Sequence, residues 1–541
     1  MQTVGFLDRL VRPWPRSVTR PLSVAILLLW AAQMAALVNR SYLQASPNLA
    51  TDLARYGTSA QWRGVYYRGE KIGFTVSQTV PVGAEFELQE DGQLQMALLG
   101  ATTSATLRTT ARVDEGFALQ SFTFSLDAGT GPVEVRGRIS GRTLTLDVVT
   151  ASGTRSEQRD IAETPILTQN LSRRLASSGL TPGAKYEWTI FDPATLSNAP
   201  VTVEVGKREL VRAGSGSIPA FRIGMTFAGL HTTSWMTDTG EVVREESPLG
   251  LISVKESADQ ARSLAVSNQV ETDLLQAAAV VPVTTRRIDD PRDVRRLRLR
   301  LEGVDLSLRD LQGVGQSVSD DVIEIHDARG LTASAADPDA DRYLASEPFI
   351  ESDSAEIIAE TNRALRGVAG NRARAEQLTR YVNGLLEKKP TLSLPSAREV
   401  LRTKVGDCNE HTALYVAMTR AAGIPARIAV GLAYVRGAFY YHAWPEVYLD
   451  EGAGRGLWLP VDPTFNQFPA DATHLRLARG GLDRQAAILP LIGHLKITVL
   501  DLEVTPGSTP ILVGRAVPDI PALATPASGP KSCWCVWTTR P

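Results

Sequence analysis

Residues 406–434 read GDCNEHTALYVAMTRAAGIPARIAVGLAY. Leu414, Tyr415, Met418 and Ala422 fall at three- and four-residue intervals, so the spacing predicts a helix whose first turn holds Cys408. A strand, RIAVGLAYV, follows it. Upstream, SAEIIAETNRALRG and ARAEQLTRYVNGLLEKK carry the same helical spacing. Downstream, FYYHAWPEVYL and LWLPVDPTF read as further strands. Helices first and strands after make residues 341–495 an α+β domain.

A cysteine in the first turn of a helix has chemical consequences. Free backbone N–H groups and the helix dipole favour a thiolate there, which predicts a lowered thiol pKa. The same N–H groups can donate to an oxyanion formed on an attacked carbonyl. The flanking Gly406, Asp407, Asn409 and Glu410 are polar company, unlike that of a cysteine buried for packing alone. His442 lies in AFYYHAWPEV and Asp462 in WLPVDPTF. On adjacent antiparallel strands the two can face each other, the acid accepting Nδ1–H so that Nε2 is turned toward the sulfur. Such a line supplies a thiolate–imidazolium pair for acyl transfer.

The blocks GDCNEHT, GIPARIAVGL, YYHAWPEVYL and WLPVDPTFNQFPADATHLRL resemble the core of the transglutaminase-like superfamily, in particular its bacterial exported, membrane-anchored members. The resemblance implies a papain-like cysteine-enzyme fold, a covalent thioacyl intermediate and no metal or organic cofactor. It matches Cys408 to the nucleophile, His442 to the base and Asp462 to the orienting acid. Asn409, Glu410 and His411 are expected to cap the helix and shape the cleft. Trp444, two positions after His442, shares its face of the strand. Asp471 and His474, in PADATHL, either bind substrate or close a loop. A metal centre built from Cys408, His411 and His442 is disfavoured, because no second cysteine lies near and no Cys-x-x-Cys or His-x-x-x-His spacing is present.

The chain around this domain is long. At 541 residues it exceeds a single hydrophobic core. With 43% hydrophobic and 21% charged residues it has the balance of folded protein, and a net charge of -2 excludes a nucleic-acid surface built on basic excess. Residues 1–20 form a basic N-terminus, and residues 21–38, PLSVAILLLWAAQMAALV, carry no charge. Eighteen residues at ~1.5 Å each approach the ~30 Å of hydrocarbon that a membrane helix crosses. Arg9, Arg12, Arg16 and Arg20 before this segment, against Arg40 after it, predict a cytoplasmic N-terminus and an extracytoplasmic remainder, in the periplasm or cell envelope, with a cleaved signal peptide as the competing reading of the same segment.

Residues 60–280 alternate with period two between glycine-rich turns and predict an antiparallel β-rich domain, with one helical interruption at ILTQNLSRRLASSGL. This domain is expected to be a scaffold or partner-binding module. Residues 290–340 form a strand-rich segment leading into the α+β domain, and residues 496–541 a terminal strand followed by a Pro- and Ala-rich tail. The other two of three cysteines, Cys533 and Cys535, sit in that tail, which leaves Cys408 unpaired.

Two functions are in competition. One is an enzyme attacking amide bonds of a protein or peptide through Cys408, with the thioester resolved by water or by an amine. The other is a catalytically idle, membrane-tethered binding scaffold.

Overall fold

The computed structural model describes Gln33 and residues 60–505, apart from 99–100, 130, 214–215, 228–229, 248–249, 264–278, 304–309, 392–393, 482–487 and 489–493. Apart from Gln33, the apolar segment 21–38 lies outside the described residues, as do Cys533 and Cys535. No helix among the described residues is long and apolar enough to cross a membrane.

The alternating residues 60–256 form one antiparallel sheet of fourteen strands, from Gln61–Tyr67 to Leu251–Glu256. Period-two patterning sets which face is covered: Val133 and Val135 of Pro132–Ser140, and Leu144, Leu146 and Val148 of Thr143–Thr150, point inward together. The run GVYYRGEKIG is two strands, because Arg68 (φ 49°) and Gly69 (φ 87°) both adopt the left-handed conformation that a two-residue hairpin turn requires. The first strand pairs with the fourteenth at the centre, so the eighth and ninth strands are the opposite edges of the sheet. The helix Thr168–Ser178 carries the chain between those edges and buries Leu175 and Ala176 in the sheet's core. Leu88, Phe124, Leu175, Ile223 and Met236 line a cavity of about 550 Å³ beside it.

The second half is layered. Its helices are α1 (Ala355–Ala364), α2 (Asn371–Leu385), α3 (Ala397–Thr403) and α4 (Cys408–Ala421). They pack on one face of a sheet whose main strands are β1 (Ala426–Val435), β2 (Ala438–Gly452), β3 (Arg455–Pro460) and β4 (His474–Arg479), in the order β3-β2-β1-β4. Val447, Leu449, Leu457 and Leu459 meet the helices. Val430, Leu432, Leu475 and Leu477 meet a four-stranded sheet in which Val294–Glu302 pairs with Lys496–Val504. The central sheet is therefore covered on both sides, which is why β1 and β2 are buried almost continuously and not in alternation. From Glu410 to Arg420 every residue of α4 is buried, so it is the central helix of its layer.

The α+β description thus holds for this half, whereas strands dominate the chain as a whole. The two halves touch through Ser152 Oγ to Glu399 (3.1 Å) and through Arg155 to Ser346 (2.9 Å) and Asp353 (3.0 Å).

Candidate active site

Cys408 is the first residue of α4 and is half-buried. Asp407 caps the helix, its Oδ1 accepting Asn409 N–H at 2.9 Å. Glu410 returns to accept Asp407 N–H at 2.9 Å, closing a capping box, and is itself held by the Thr391 hydroxyl at 2.8 Å. The folded-back Glu410 leaves no room beside Gly406, where a Cβ would lie 2.2 Å from Glu410 Cβ. The helix start is thus fixed from both sides. Asn409 accepts from Tyr441 at 3.4 Å, and His411 Nδ1 sits 2.7 Å from the Asp407 carbonyl, so all three polar residues after Cys408 have structural partners.

The sulfur receives a hydrogen bond from the backbone N–H of Ala443, the residue after His442. The carbonyl of the same residue accepts from Thr412 of α4 at 3.1 Å, so both backbone groups of Ala443 tie β2 to the start of the helix. His442 is buried, and its Nε2 lies 2.7 Å from Asp462 Oδ2. Asp462 follows the end of β3 in a loop closed by backbone bonds to Gln467 in both directions. Its Oδ1 accepts Thr464 N–H at 2.7 Å and Phe465 N–H at 2.9 Å. Asn383 of α2 clamps that loop by donating to the carbonyls of Pro463 (2.8 Å) and Thr464 (3.1 Å). The Phe465 ring lies parallel to the His442 ring, with centroids 4.5 Å apart, and Trp444 stacks at 6.0 Å, on the face of β2 expected of it.

Two electrostatic expectations are corrected. Burial, with the negative charges of Asp407, Glu410 and Asp462, pushes the Cys408 thiol well above its ordinary pKa, and the Ala443 N–H offsets this only in part. The helix N-terminus is outweighed first by burial and then by its own capping acids beside the sulfur. The histidine is also turned the other way, with Nε2 and not Nδ1 on the acid, so Nδ1 is the nitrogen that Asp462 does not engage.

A second histidine completes the cluster, in the PADATHL segment. His474, the first residue of β4, places Nε2 3.1 Å from the same Asp462 Oδ2 and Nδ1 3.2 Å from Asp471 Oδ1. Burial opposes its charge, but the two carboxylates raise its pKa to about 10, and in return His474 holds Asp471 down to about 2. Asp462 is likewise held well below the usual carboxylate range, against burial, by His442 and His474. Burial lowers His411 to about 4, so this histidine is neutral at pH 7. The signal for His474 in the sequence was its place opening an apolar strand three residues after an acid.

His442, Asp462 and His474 bring possible ligand atoms within 4.8 Å of one another. The set fits a metal poorly, since both His474 nitrogens already face carboxylates and offer no lone pair.

The fold and site define an α+β domain that opens its central helix with a cysteine, beside a buried histidine–aspartate pair on the neighbouring strands. Residues 359–463 match the family model of the transglutaminase-like superfamily, and this part of the chain is a transglutaminase-like domain. Cys408, His442 and Asp462 fall inside the matched residues, whereas Asp471 and His474 fall beyond them. No curated protein matches the chain. Among solved structures, a putative cysteine protease from Cytophaga hutchinsonii is 17% identical over 40% of this chain and 89% of its own, with a TM-score of 0.28. A β-barrel-like protein of a domain of unknown function from Brucella abortus is 12% identical over 36% of this chain and 96% of its own, with a TM-score of 0.29. Likenesses this weak carry no functional weight.

Proposed function

We propose that this chain is a cysteine acyl-transfer enzyme that opens amide bonds of a protein or peptide outside the cytoplasm, tethered by its apolar segment 21–38. The observation that carries the reading is the buried His442–Asp462 pair on a strand whose next N–H binds the Cys408 sulfur.

In this mechanism His442 Nδ1 takes the thiol proton as Cys408 Sγ attacks the carbonyl carbon, and Asp462 stabilises the imidazolium through Nε2–H. Backbone N–H groups at the start of α4 donate to the oxyanion. As the tetrahedral centre collapses, the C–N bond breaks and His442 returns the proton to the departing amine. Water or a second amine then resolves the thioester, with His442 accepting its proton. Because the resting thiol is held protonated, the ion pair forms once substrate is bound and does not stand ready beforehand.

The experiment is to incubate the full chain with envelope extract and identify the group attached to Cys408 by mass spectrometry. A thioacyl adduct that disappears in Cys408→Ala and falls by about 10²-fold or more in His442→Ala is expected. The raised thiol also favours a second reading, an idle binding module. Equal capture of one partner by wild type and Cys408→Ala, with no adduct at any pH, would establish it in place of the enzyme.

A further inference from the structure

We infer that His474 is a positioning residue: as an imidazolium bridging Asp462 and Asp471, it fixes the Asp462 carboxylate so that His442 presents Nδ1, and not Nε2, to the reacting thiol. The inference rests on the acyl-transfer reading of Cys408 and His442.

The geometry leaves His474 little choice of protonation. Nδ1 lies 3.2 Å from Asp471 Oδ1 and Nε2 lies 3.1 Å from Asp462 Oδ2, so each nitrogen must carry a proton or set a lone pair against a carboxylate oxygen. Both acids are committed as acceptors. Asp471 receives Thr473 N–H (2.9 Å), the Thr473 hydroxyl (2.6 Å) and Gln467 Nε2 (2.7 Å), while Asp462 receives two backbone N–H groups on its other oxygen. Carboxylates fixed in this way remain ionised, and a doubly protonated ring between them satisfies both.

Charge balance explains why a second ion pair is tolerated beside a catalytic acid. His474 and Asp471 cancel, so the cluster retains the single negative charge that an imidazolium at His442 needs. What the pair adds is direction. Oδ2 is approached at once by His442 at 2.7 Å and His474 at 3.1 Å, and Oδ1 by the backbone of Thr464 and Phe465, so the carboxylate cannot rotate without losing several partners. The His442 ring, parallel to Phe465 at 4.5 Å, is then set in plane. The other rings at His474 are Trp444 at 5.1 Å and Phe465 at 6.0 Å. Lys388 and His411 act on Asp462 from the helix side, while Arg287, Asp289, Asp290, Arg292 and Arg436 share with His474 a groove of about 640 Å³ on the opposite side.

The test has two readouts. First, full-length protein labelled with ¹⁵N-histidine is titrated by NMR, and the His474 signal is assigned by its loss in His474→Gln. Both ring nitrogens should remain protonated from pH 6 to about 9, and a neutral His474 at pH 8 overturns the inference. Second, turnover of a substrate identified by Cys408 trapping is followed against pH. His474→Gln should lower kcat by about ten- to hundredfold with little change in KM. Asp471→Asn, which removes one of the two carboxylates, should add an alkaline loss of kcat within pH 7–9 that wild type lacks, and Asp471→Glu should restore the wild-type profile. Unchanged kcat and pH profile in both His474→Gln and Asp471→Asn overturn the inference even if both proteins fold. If no acyl-enzyme forms, the proposed chemistry fails by itself, while the NMR titration still decides the state of His474.

Discussion

At the scale of single residues, the nucleophile's charge is set by its neighbours more than by its helix. Asp407 and Glu410 cap α4 beside Cys408 and push its thiol up, while burial and Glu410 push the Asp407 carboxyl itself well above its ordinary value. Asparagine caps a helix about as well as aspartate, so Asp407→Asn should keep the helix while removing one ionisable acid from beside the sulfur. The direction follows: the thiol pKa falls, and the thiolate fraction at pH 7 rises. Each unit of fall multiplies the thiolate by ten but weakens it as a nucleophile, so the rate of iodoacetamide alkylation should rise roughly threefold per unit. Wild type itself should alkylate slowly at pH 7 and faster as pH climbs. Fast alkylation of wild type at pH 7, unchanged in Asp407→Asn, would contradict the charge assignment.

At the scale of elements, the site depends on close approaches that side chains would block. Gly406 lets Glu410 fold back over the helix start, and Gly431 does the same where β1 meets β4, since a Cβ there would lie 2.0 Å from the Leu475 carbonyl. The β1–β4 register shifts beside Gly431, close to the point where His474 enters the cluster. Gly406→Ala should therefore destabilise by ~1–3 kcal/mol and slow any Cys408 chemistry, which urea unfolding and alkylation measure together. The sheet also carries a buried knot: Glu446 on β2 accepts from Arg427 (2.8 Å), Arg476 (2.9 Å) and Arg479 (2.9 Å). The three arginines, against burial, hold Glu446 down to about 2. Glu446→Gln strands three cations in the sheet and should cost ~3–5 kcal/mol, seen as a lower urea midpoint.

At the scale of the whole molecule, the ion pairs give stability a pH window. His474 rises from 6.5 to about 10 on folding, so its contribution is complete below pH 6.5 and is lost as pH rises toward 10. Asp471 falls from 3.8 to about 2, so its contribution is present above pH 4 and is lost as pH falls through 2. The melting temperature of wild type should therefore drop between pH 7 and 10 more steeply than that of His474→Gln, as calorimetry across that range would record. The large β-sheet domain is joined to the other half by the Ser152 and Arg155 contacts and by Phe349 and Leu394, which are buried in its core.

The local elements are legible in the chain alone. Apolar spacing marked the helix that begins at Cys408, alternation marked a β-rich domain over residues 60–280, and the blocks around Cys408, His442 and Asp462 marked a domain type, because each of these signals is carried by near neighbours in the chain. Tertiary structure decided what depends on distant partners. Which nitrogen of His442 meets the acid is set by the loop that Asn383 clamps from α2. The direction of the thiol's shift is set by desolvation at the start of α4 together with the acids that the fold gathers there. His474 joins the cluster only because β4 pairs with β1, a register that no single segment specifies.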